Sequence, residues 1–469
     1  MHLRIALLVG LVSTTALAET PAPAAPNAPV PPPTQFQPKV EDPMLAPMPP
    51  SARQVATWDE ALALVKERST DLDSARAGVE RAEGRWRQAL AALLPNARFA
   101  GGVGYDVLNS SNSVLATSGT VLPPAPSPSG RKPTAPLASA AASLTQAVVD
   151  VSAWRGLSST EAAQHSAEAN LQDVRRRLTQ GLARALVAVV SAERAAELNR
   201  VGLRQALERA ALVQRTLELG AATQLDLART RQDVEVARQS LISGDEQLLR
   251  AREALGLALG FDQAVGVASG FNLQGLVAQT QADCAPLKAL SERPDLLAAS
   301  TQLESARESR LQASAGYLPT LGITSSALAY TTEPAVGRVS TWNIAAVLSV
   351  PLWEGGLRGG LVRERAGIER QAADTLELTR RNMELEVART RRDVGVAEAL
   401  VKTAQAGRSL AEQTDQLTRR SFEIGRSGSL ELVQSAAALR QAELALALRE
   451  FELVQARLDA FLTEARCDW

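Results

Sequence analysis

The chain has 469 residues and a formal net charge of −1, and charges of both signs are interspersed along it. A nucleic-acid-binding protein would need a clustered basic patch, so this class is excluded. Histidine occurs only at positions 2 and 165, and no set of residues supports an enzyme. We therefore expect no catalytic residues, no cofactor and no metal site.

The first eighteen residues have the pattern of a secretory signal peptide. Arg4 gives a positive start, residues 5–12 are apolar, and the Ala-Leu-Ala of residues 16–18 fits a cleavage site. No cysteine follows that site, so a lipid anchor is not expected. Because no later run of about 18 apolar residues exists, any membrane insertion must use β-strands.

Prolines divide the rest of the chain. Twelve of the 24 prolines lie between residues 21 and 50, which predicts a disordered leader over residues 19–51. None occurs in residues 137–285 or after residue 351, so these tracts can hold very long helices. We divide the chain into a signal peptide (1–18), the leader (19–51), repeat 1 (52–260), a linker (261–292), repeat 2 (293–465) and a C-terminal tail (466–469).

Each repeat is predicted to contain a helix, two strands, a long helix, a glycine turn and a return helix. The first helix opens with a capping box of Thr57 and Glu60, and the first strand alternates in polarity. The predicted elements of repeat 1 are a helix over 58–93, strands over 98–107 and 138–149 with a loop between them, and helices over 150–218 and 224–259. Those of repeat 2 are a helix ending at 318, strands over 320–330 and 341–352, a helix over 354–423 and a last helix ending near 462.

Apolar residues at strict intervals of seven mark the return helices of both repeats, about 205 residues apart. Such rows favour coiled-coil packing. The two rows are Leu227, Val234, Leu241, Leu248 and Leu255, and Leu432, Leu439, Leu446, Leu453 and Ala460. The four strands are each about ten residues long, as in outer-membrane barrels. Four strands leave two open edges that hydrocarbon does not tolerate, so several chains must pool their strands.

Specific motifs recur in order and in duplicate. Leu-Pro pairs at 94–95 and 318–319 precede strands, Val-Pro-Leu-Trp-Glu-Gly-Gly at 350–356 follows the fourth strand, and the turns occupy 219–227 and 424–432. These motifs resemble the TolC-type outer membrane factor family over about residues 52–465. The resemblance implies an α+β membrane protein in which a homotrimer forms a twelve-stranded β-barrel in the outer membrane of a Gram-negative bacterium. Long helical hairpins would then form a periplasmic α-barrel, and residues 261–292 would form an equatorial linker.

The resemblance also assigns roles to the two turns. They would form the periplasmic tips that contact an adaptor and close the duct at rest, with Gly220, Ala221, Thr223, Gly425, Arg426 and Gly428 as contact candidates. Asp226 and Glu431 are candidates for an acidic pore mouth. Equally, both carboxylates can simply stabilise the helix N-termini at which they lie.

Aromatic residues near the strand ends fit a membrane-interface girdle, with packing at the strand–helix junctions as the alternative. The candidates are Tyr105, Tyr317, Tyr330, Trp342 and Trp353, whereas for Trp154 we favour junction packing. Cys284 and Cys467 lie in regions that the family fold gathers at the tunnel's waist. A disulfide between them is favoured there, and two unpaired thiols remain the alternative.

The family resemblance predicts a function in export. The chain would be the outer-membrane exit duct of a tripartite efflux system, working with a periplasmic adaptor (a membrane fusion protein) and an inner-membrane transporter. The alternative is the outer-membrane channel of a type I protein secretion system, because the transporter and not the duct selects the cargo. A periplasmic coiled-coil adaptor fits poorly, since it would need only one helical hairpin.

Overall fold

The structure is a computed structural model that describes residues 38–104, 116–117, 120–121, 137–330 and 340–469. The helices in these ranges are α1 (Trp58–Arg68), α2 (Thr70–Ala91), α3 (Val151–Glu218), α4 (Gln224–Ala258), α5 (Leu273–Asp283), α6 (Pro294–Ala315), α7 (Leu357–Glu423) and α8 (Ser429–Thr463). The strands are β1 (Arg53–Val55), β2 (Asn96–Gly104), β3 (Ala116–Thr117), β4 (Thr120–Val121), β5 (Leu137–Val149), β6 (Val265–Val267), β7 (Cys284–Pro286), β8 (Thr320–Tyr330), β9 (Ser340–Ser349) and β10 (Ala465–Cys467). Among the described helices, none is both long and apolar enough to cross a bilayer.

One four-stranded antiparallel sheet forms one end of the molecule. Its strand order is β2-β5-β8-β9, so the first predicted strand pair lies directly beside the second. Side chains alternate between the two faces of a strand. One face therefore presents a set of large apolar side chains that are mostly exposed in the single chain, namely Phe99, Val103, Trp342, Ile344 and Leu348. Within this sheet, the outer edges of β2 and β9 have no partner strand.

Two long helical hairpins extend from the sheet. The first pairs α3 (68 residues) with α4 (35 residues), and the second pairs α7 (67 residues) with α8 (35 residues). The five predicted heptad residues of α4 are all buried, as expected for the packed seam of a coiled coil. In the second row only Leu432 is buried, and the other four residues are half-buried within the single chain.

The hydrophobic core lies at the middle of the long helices. There α1, α3, α4 and α8 surround Trp58, Leu186, Leu255 and Leu462, which are fully buried. The linker crosses this region as β6, α5 and β7. Strand β6 pairs with β1, and β7 pairs with β10, so both short sheets join parts of the chain that are far apart in sequence.

Several predicted boundaries differ from the structure. The helix expected over residues 58–93 is two helices, because Ser69 interrupts it and its hydroxyl accepts from the Leu72 amide at 3.3 Å to cap α2. The second strand of repeat 2 ends at residue 349 and α7 begins at residue 357, since Gly355 and Gly356 adopt positive φ between them. The predicted linker contains α5, and the predicted tail contributes to β10.

Part of the predicted disordered leader is ordered. From residue 38 the chain runs along the α3–α4 hairpin, where Asp42 pairs with Arg238 at 2.8 Å. Leu45 packs against the cluster around Leu203 and Leu241. These contacts explain why a proline-rich segment, which cannot form a core of its own, is fixed on the helices beside it.

Candidate functional site at the helical tips

The turn between α3 and α4 is built by a single left-handed glycine. Gly220 has φ 76°, and the Ala221 amide donates to the Thr216 carbonyl at 2.8 Å to close the end of α3. Thr223 then caps α4 and exchanges hydrogen bonds with Asp226 in a complete capping box. The sequence folds this way because only glycine adopts positive φ without a steric cost. A threonine with an acidic residue three positions later forms a capping box, which starts a helix.

The turn between α7 and α8 repeats this construction. Gly425 has φ 72°, and the Arg426 amide donates to the Ser421 carbonyl at 2.8 Å. Gly428 has no side chain to cap α8, so only the reverse bond is present: its amide donates to the Glu431 carboxylate at 2.7 Å. Both acidic candidates therefore hold equivalent capping positions, which agrees with the helix-terminus role considered for them.

Asp226 has a second contact that Glu431 lacks. The Ser429 hydroxyl, at the start of α8, donates to the Asp226 carboxylate and so joins the two tips. Ser429 is 1% exposed. Hydrogen bonds from Ser429 and then Thr223 hold the pKa of Asp226 below its usual range, so the link persists with an ionised carboxylate. Glu431 is exposed to solvent.

The remaining tip candidates lie at the surface. Gly220, Ala221, Thr223, Gly425, Arg426 and Gly428 are all exposed. Arg426 forms no ion pair within the described part of the chain, so its charge faces solvent. The structure thus brings the six candidates together in two adjacent turns, at the end of the molecule remote from the sheet.

A buried ion cluster, which the sequence did not indicate, lies above the tips. Asp233 of α4 binds Arg209 of α3 at 2.8 Å and Arg440 of α8 at 2.6 Å. Asp233 is 5% exposed, so its charge depends on these two partners. Burial opposes ionisation, but the hydrogen bonds from the two arginines outweigh it and lower the pKa of Asp233. The cluster ties the first hairpin to the second.

The small size of Gly202 allows this cluster to form. A Cβ atom placed on Gly202 of α3 would lie 2.7 Å from the Cδ atom of Arg440, so a larger residue would displace the arginine. The one signal of the cluster in the sequence is that Asp233 immediately precedes the heptad residue Val234. This position alone does not separate a buried carboxylate from a solvated one, because the residue next to a heptad position can point toward a second neighbouring helix or toward water.

A profile of the outer membrane efflux protein family matches residues 61–261 and 285–459. The chain belongs to the outer membrane efflux protein family. The match includes all four long strands, the first hairpin and the second hairpin up to residue 459, and it omits residues 262–284 of the linker. The predicted TolC-type family is thereby confirmed, and membership indicates an outer membrane transport protein.

Solved structures of outer membrane channels have the same fold. VceC from Vibrio cholerae aligns with a TM-score of 0.71 at 14% identity, covering 86% of this chain and 95% of that one. CusC aligns with a TM-score of 0.71 at 17% identity, covering 91% and 99%. The open state of MtrE from Neisseria gonorrhoeae aligns with a TM-score of 0.67 at 15% identity, covering 91% and 97%. The fold of this efflux protein is therefore TolC-like.

The other predicted site residues lie away from the tips. Cys284 and Cys467 form a disulfide at the core, with Cα atoms 4.1 Å apart. Tyr317 and Trp353 are exposed at the helix side of the sheet, and Trp342 is exposed within β9. Tyr330 ends β8, and Tyr105 lies outside the described residues. In the described ranges, no cluster of His, Cys, Asp and Glu is arranged to hold a metal ion.

Replacing the tip glycines should loosen the tips. Gly220→Ala or Gly425→Ala forces a Cβ atom into the left-handed region, at a cost of about 1–2 kcal/mol. Hydrogen–deuterium exchange of the tip amides, including Ala221 and Arg426, should accelerate roughly 5- to 30-fold. Gly78→Ala in the interior of α2, where a Cβ atom has open space, is the matched control and should leave the tips unchanged. Equal exchange in all three variants would contradict the strain argument.

Proposed function

We propose that this efflux protein is the outer-membrane exit duct of a tripartite efflux system. Three copies would form a twelve-stranded barrel in the outer membrane and a helical tunnel across the periplasm. The duct would passively conduct substrates delivered by an inner-membrane transporter and a periplasmic adaptor. The observation that carries this proposal is the sheet of four membrane-length strands with two unpaired edges.

The sheet requires further strands to be stable in lipid. Unpaired backbone groups at the edges of β2 and β9 cannot be left in hydrocarbon, where each costs several kcal/mol. Phe99, Trp342 and Ile344 are 78%, 75% and 66% exposed, as expected for side chains that face lipid. Pairing β9 of one copy with β2 of the next would remove both edges by closing a ring.

Helix α7 has fewer neighbours within the chain than α3, because its main contacts are with α6 and α8. Its buried residues are few, whereas α3 is packed by α2, α4, α6 and α8. Leu378, Leu385, Val396, Leu410 and Leu417 of α7 are all more than half exposed. A row of exposed apolar residues along a helix of 67 residues requires cover, and a second copy of the chain would provide it.

The tips would form the periplasmic mouth of this duct. Their exposed glycine turns would contact the adaptor, and the acidic pair Asp226 and Glu431 would lie near the opening. The Asp226–Ser429 bond would hold the two tips of one copy together at rest. Ser429→Ala would remove this bond alone, because it deletes the Ser429 hydroxyl and leaves the Thr223–Asp226 cap in place.

The alternative is the outer-membrane channel of a type I protein secretion system, which would use the same duct. The two functions can be distinguished by identifying the proteins that co-purify with this protein, because the class of the inner-membrane transporter defines the system. A coiled-coil adaptor is disfavoured by the two hairpins and the four-stranded sheet.

A pair of substitutions on adjacent residues of β9 tests the barrel. Ile344 belongs to the apolar face, whereas Asn343 belongs to the opposite face, where its amide donates to the Ser326 hydroxyl at 3.4 Å. We expect Ile344→Arg to cost about 2–4 kcal/mol in the bilayer and to deplete heat-labile trimers from outer-membrane fractions. Asn343→Arg should leave the trimers intact.

Two outcomes of this trimer measurement would contradict the proposal. A folded monomer in detergent for the wild-type chain would contradict the trimer. Equal tolerance of Ile344→Arg and Asn343→Arg would contradict the assignment of one face to lipid, even if trimers form.

A further inference from the structure

The four long strands contain a single charged side chain, Arg98. Asn96–Gly104, Leu137–Val149, Thr320–Tyr330 and Ser340–Ser349 otherwise hold only neutral residues, and no acid occurs among them. Charged residues are common elsewhere in the chain, at 22% of all residues. In the proposed barrel, each face of the sheet meets either lipid or water, so the face that carries Arg98 determines the environment of its charge.

The strand register places Arg98 on the polar face. Arg98 lies opposite Ser143 of β5, Ser143 opposite Ser326 of β8, and Ser326 opposite Asn343 of β9. Residues directly opposite one another lie on the same face of an antiparallel sheet. A continuous polar row therefore crosses all four strands, and the next row on this face adds Asn96, Thr145 and Thr324.

The opposite face is apolar, and the polar donors of Trp342 and Gln146 on it have local acceptors. The Trp342 indole donates to the Ser325 hydroxyl at 2.9 Å, and the Gln146 amide donates to the Leu93 carbonyl at 2.7 Å. The Arg98 side chain, in contrast, is exposed and has no hydrogen-bond or ion-pair partner among the described residues. An unpaired arginine on the lipid face would be strongly destabilising, so the face that carries Arg98 is the aqueous one.

We propose that three copies of Arg98 form a cationic ring on the wall of the transmembrane pore, which favours anionic solutes. The inference rests on the proposed trimeric duct and adds a charge preference to it. Arg98 lies near the start of β2, so the ring lies at the end of the barrel next to the helical tunnel. Threefold symmetry gives the three guanidiniums one common height, and no carboxylate within the described residues of the four strands neutralises them.

The ring would act on ions in the pore through its electrostatic field, which dissolved salt screens. In a twelve-stranded barrel each guanidinium lies about 10 Å from the axis, which is about one Debye length at 0.1 M salt. Three such charges should enrich small anions about twofold over cations at that ionic strength. At about 1 M salt the Debye length falls to about 3 Å and the preference should vanish. Since arginine does not deprotonate in proteins, the contribution of Arg98 to this preference should be independent of pH.

Reversal potentials in planar bilayers test the charge. Wild-type trimers are measured in a KCl gradient at about 0.1 M and about 1 M, beside Arg98→Lys, Arg98→Gln and Arg98→Glu. We expect Arg98→Gln to lower the ratio of chloride to potassium permeability about twofold at low salt, Arg98→Glu to lower it further, and Arg98→Lys to preserve it. Equal ratios in the wild type, the glutamine variant and the glutamate variant would overturn the inference.

Thiol labelling tests the position of the side chain independently of the current. Both native cysteines are in a disulfide, so they give no background. In trimers, Arg98→Cys should react with a negatively charged, water-soluble methanethiosulfonate, and the adjacent Phe99→Cys should not. Reaction of Phe99→Cys alone would place Arg98 away from the pore and overturn the inference. Absence of any wild-type trimer would instead refute the proposed duct, and with it the ring.

Discussion

Asp233→Ala is expected to destabilise the two hairpins by about 3–5 kcal/mol, because it leaves the buried guanidinium of Arg209 and the partly buried guanidinium of Arg440 without their counter-charge. Arg209 and Arg440 approach the same carboxylate at 2.8 Å and 2.6 Å from different helices. Arg209 is only 6% exposed, so solvent cannot replace the lost partner. The midpoint of helix unfolding in urea, followed by circular dichroism in detergent, measures the loss.

An exposed ion pair provides the matched control. Arg457 and Glu398 also join two helices, at 2.9 Å, but both side chains are 52% exposed. Glu398→Ala should therefore cost less than about 1 kcal/mol. If Asp233→Ala costs no more than Glu398→Ala, the cluster does not stabilise the hairpins.

A triple substitution separates the cluster's charge from its packing. Replacing Asp233 with Leu and both arginines with Met removes all three charges and keeps most of the volume. Such replacements of buried ion networks are often neutral or stabilising by about 1–4 kcal/mol. We therefore expect the triple variant to be far more stable than Asp233→Ala. A triple variant as unstable as the single one would show that the geometry of the hydrogen bonds, and not charge compensation, holds the hairpins.

The same cluster predicts a pH dependence. Because the folded-state pKa of Asp233 lies below its ordinary value, the unfolded chain binds the proton more readily. Its stabilising contribution is complete above about pH 4 and is lost as the pH falls through the folded-state value. The stability difference between the wild type and Asp233→Asn should therefore shrink below about pH 4. A difference that grows on acidification would contradict the assigned direction.

The long helices and their turns could be predicted because their signals are local. The absence of proline predicts α3 over residues 150–218, and the structure gives Val151–Glu218. The glycine turns are equally local, since Gly220 and Gly425 have positive φ within two residues of the helix ends. Local rules of this kind need no knowledge of the tertiary structure.

The equatorial region could not be predicted, because its strands depend on distant partners. Strands β6 and β7 are three residues long, too short for an alternating pattern to be visible. They form because β1 and β10, from the two ends of the described chain, lie beside them. The order of residues 38–51 has the same origin, since it comes from contacts with α4 and not from the leader's own composition.

The ion cluster could not be predicted from the sequence for a related reason. In the sequence, Asp233 is one of many charges on a helix rich in them, which predicts a solvated face. Its partners are 24 and 207 residues away. Only the packing of three helices reveals that this carboxylate is buried, whereas the tip candidates follow directly from the repeated turn motif.

Removing the disulfide between Cys284 and Cys467 is expected to lower the free energy of unfolding by about 2–5 kcal/mol. The bond spans 183 residues, so its loss enlarges the set of conformations open to the unfolded chain. Unfolding of the Cys284→Ala/Cys467→Ala double variant in urea, compared with the oxidised wild type, measures the difference. An unchanged midpoint and slope would contradict a stabilising role.

The folded state should change little in that double variant, because other contacts hold the C-terminal tail. The Trp469 indole donates to the Thr179 hydroxyl at 2.9 Å, and the Leu287 amide donates to the Glu464 carbonyl at 2.9 Å. Hydrogen exchange at residues 465–467 therefore distinguishes two mechanisms. Protected amides in a destabilised variant mean that the disulfide acts on the unfolded chain. Rapid exchange there would mean that it holds β10 in place and that the remaining contacts are insufficient alone.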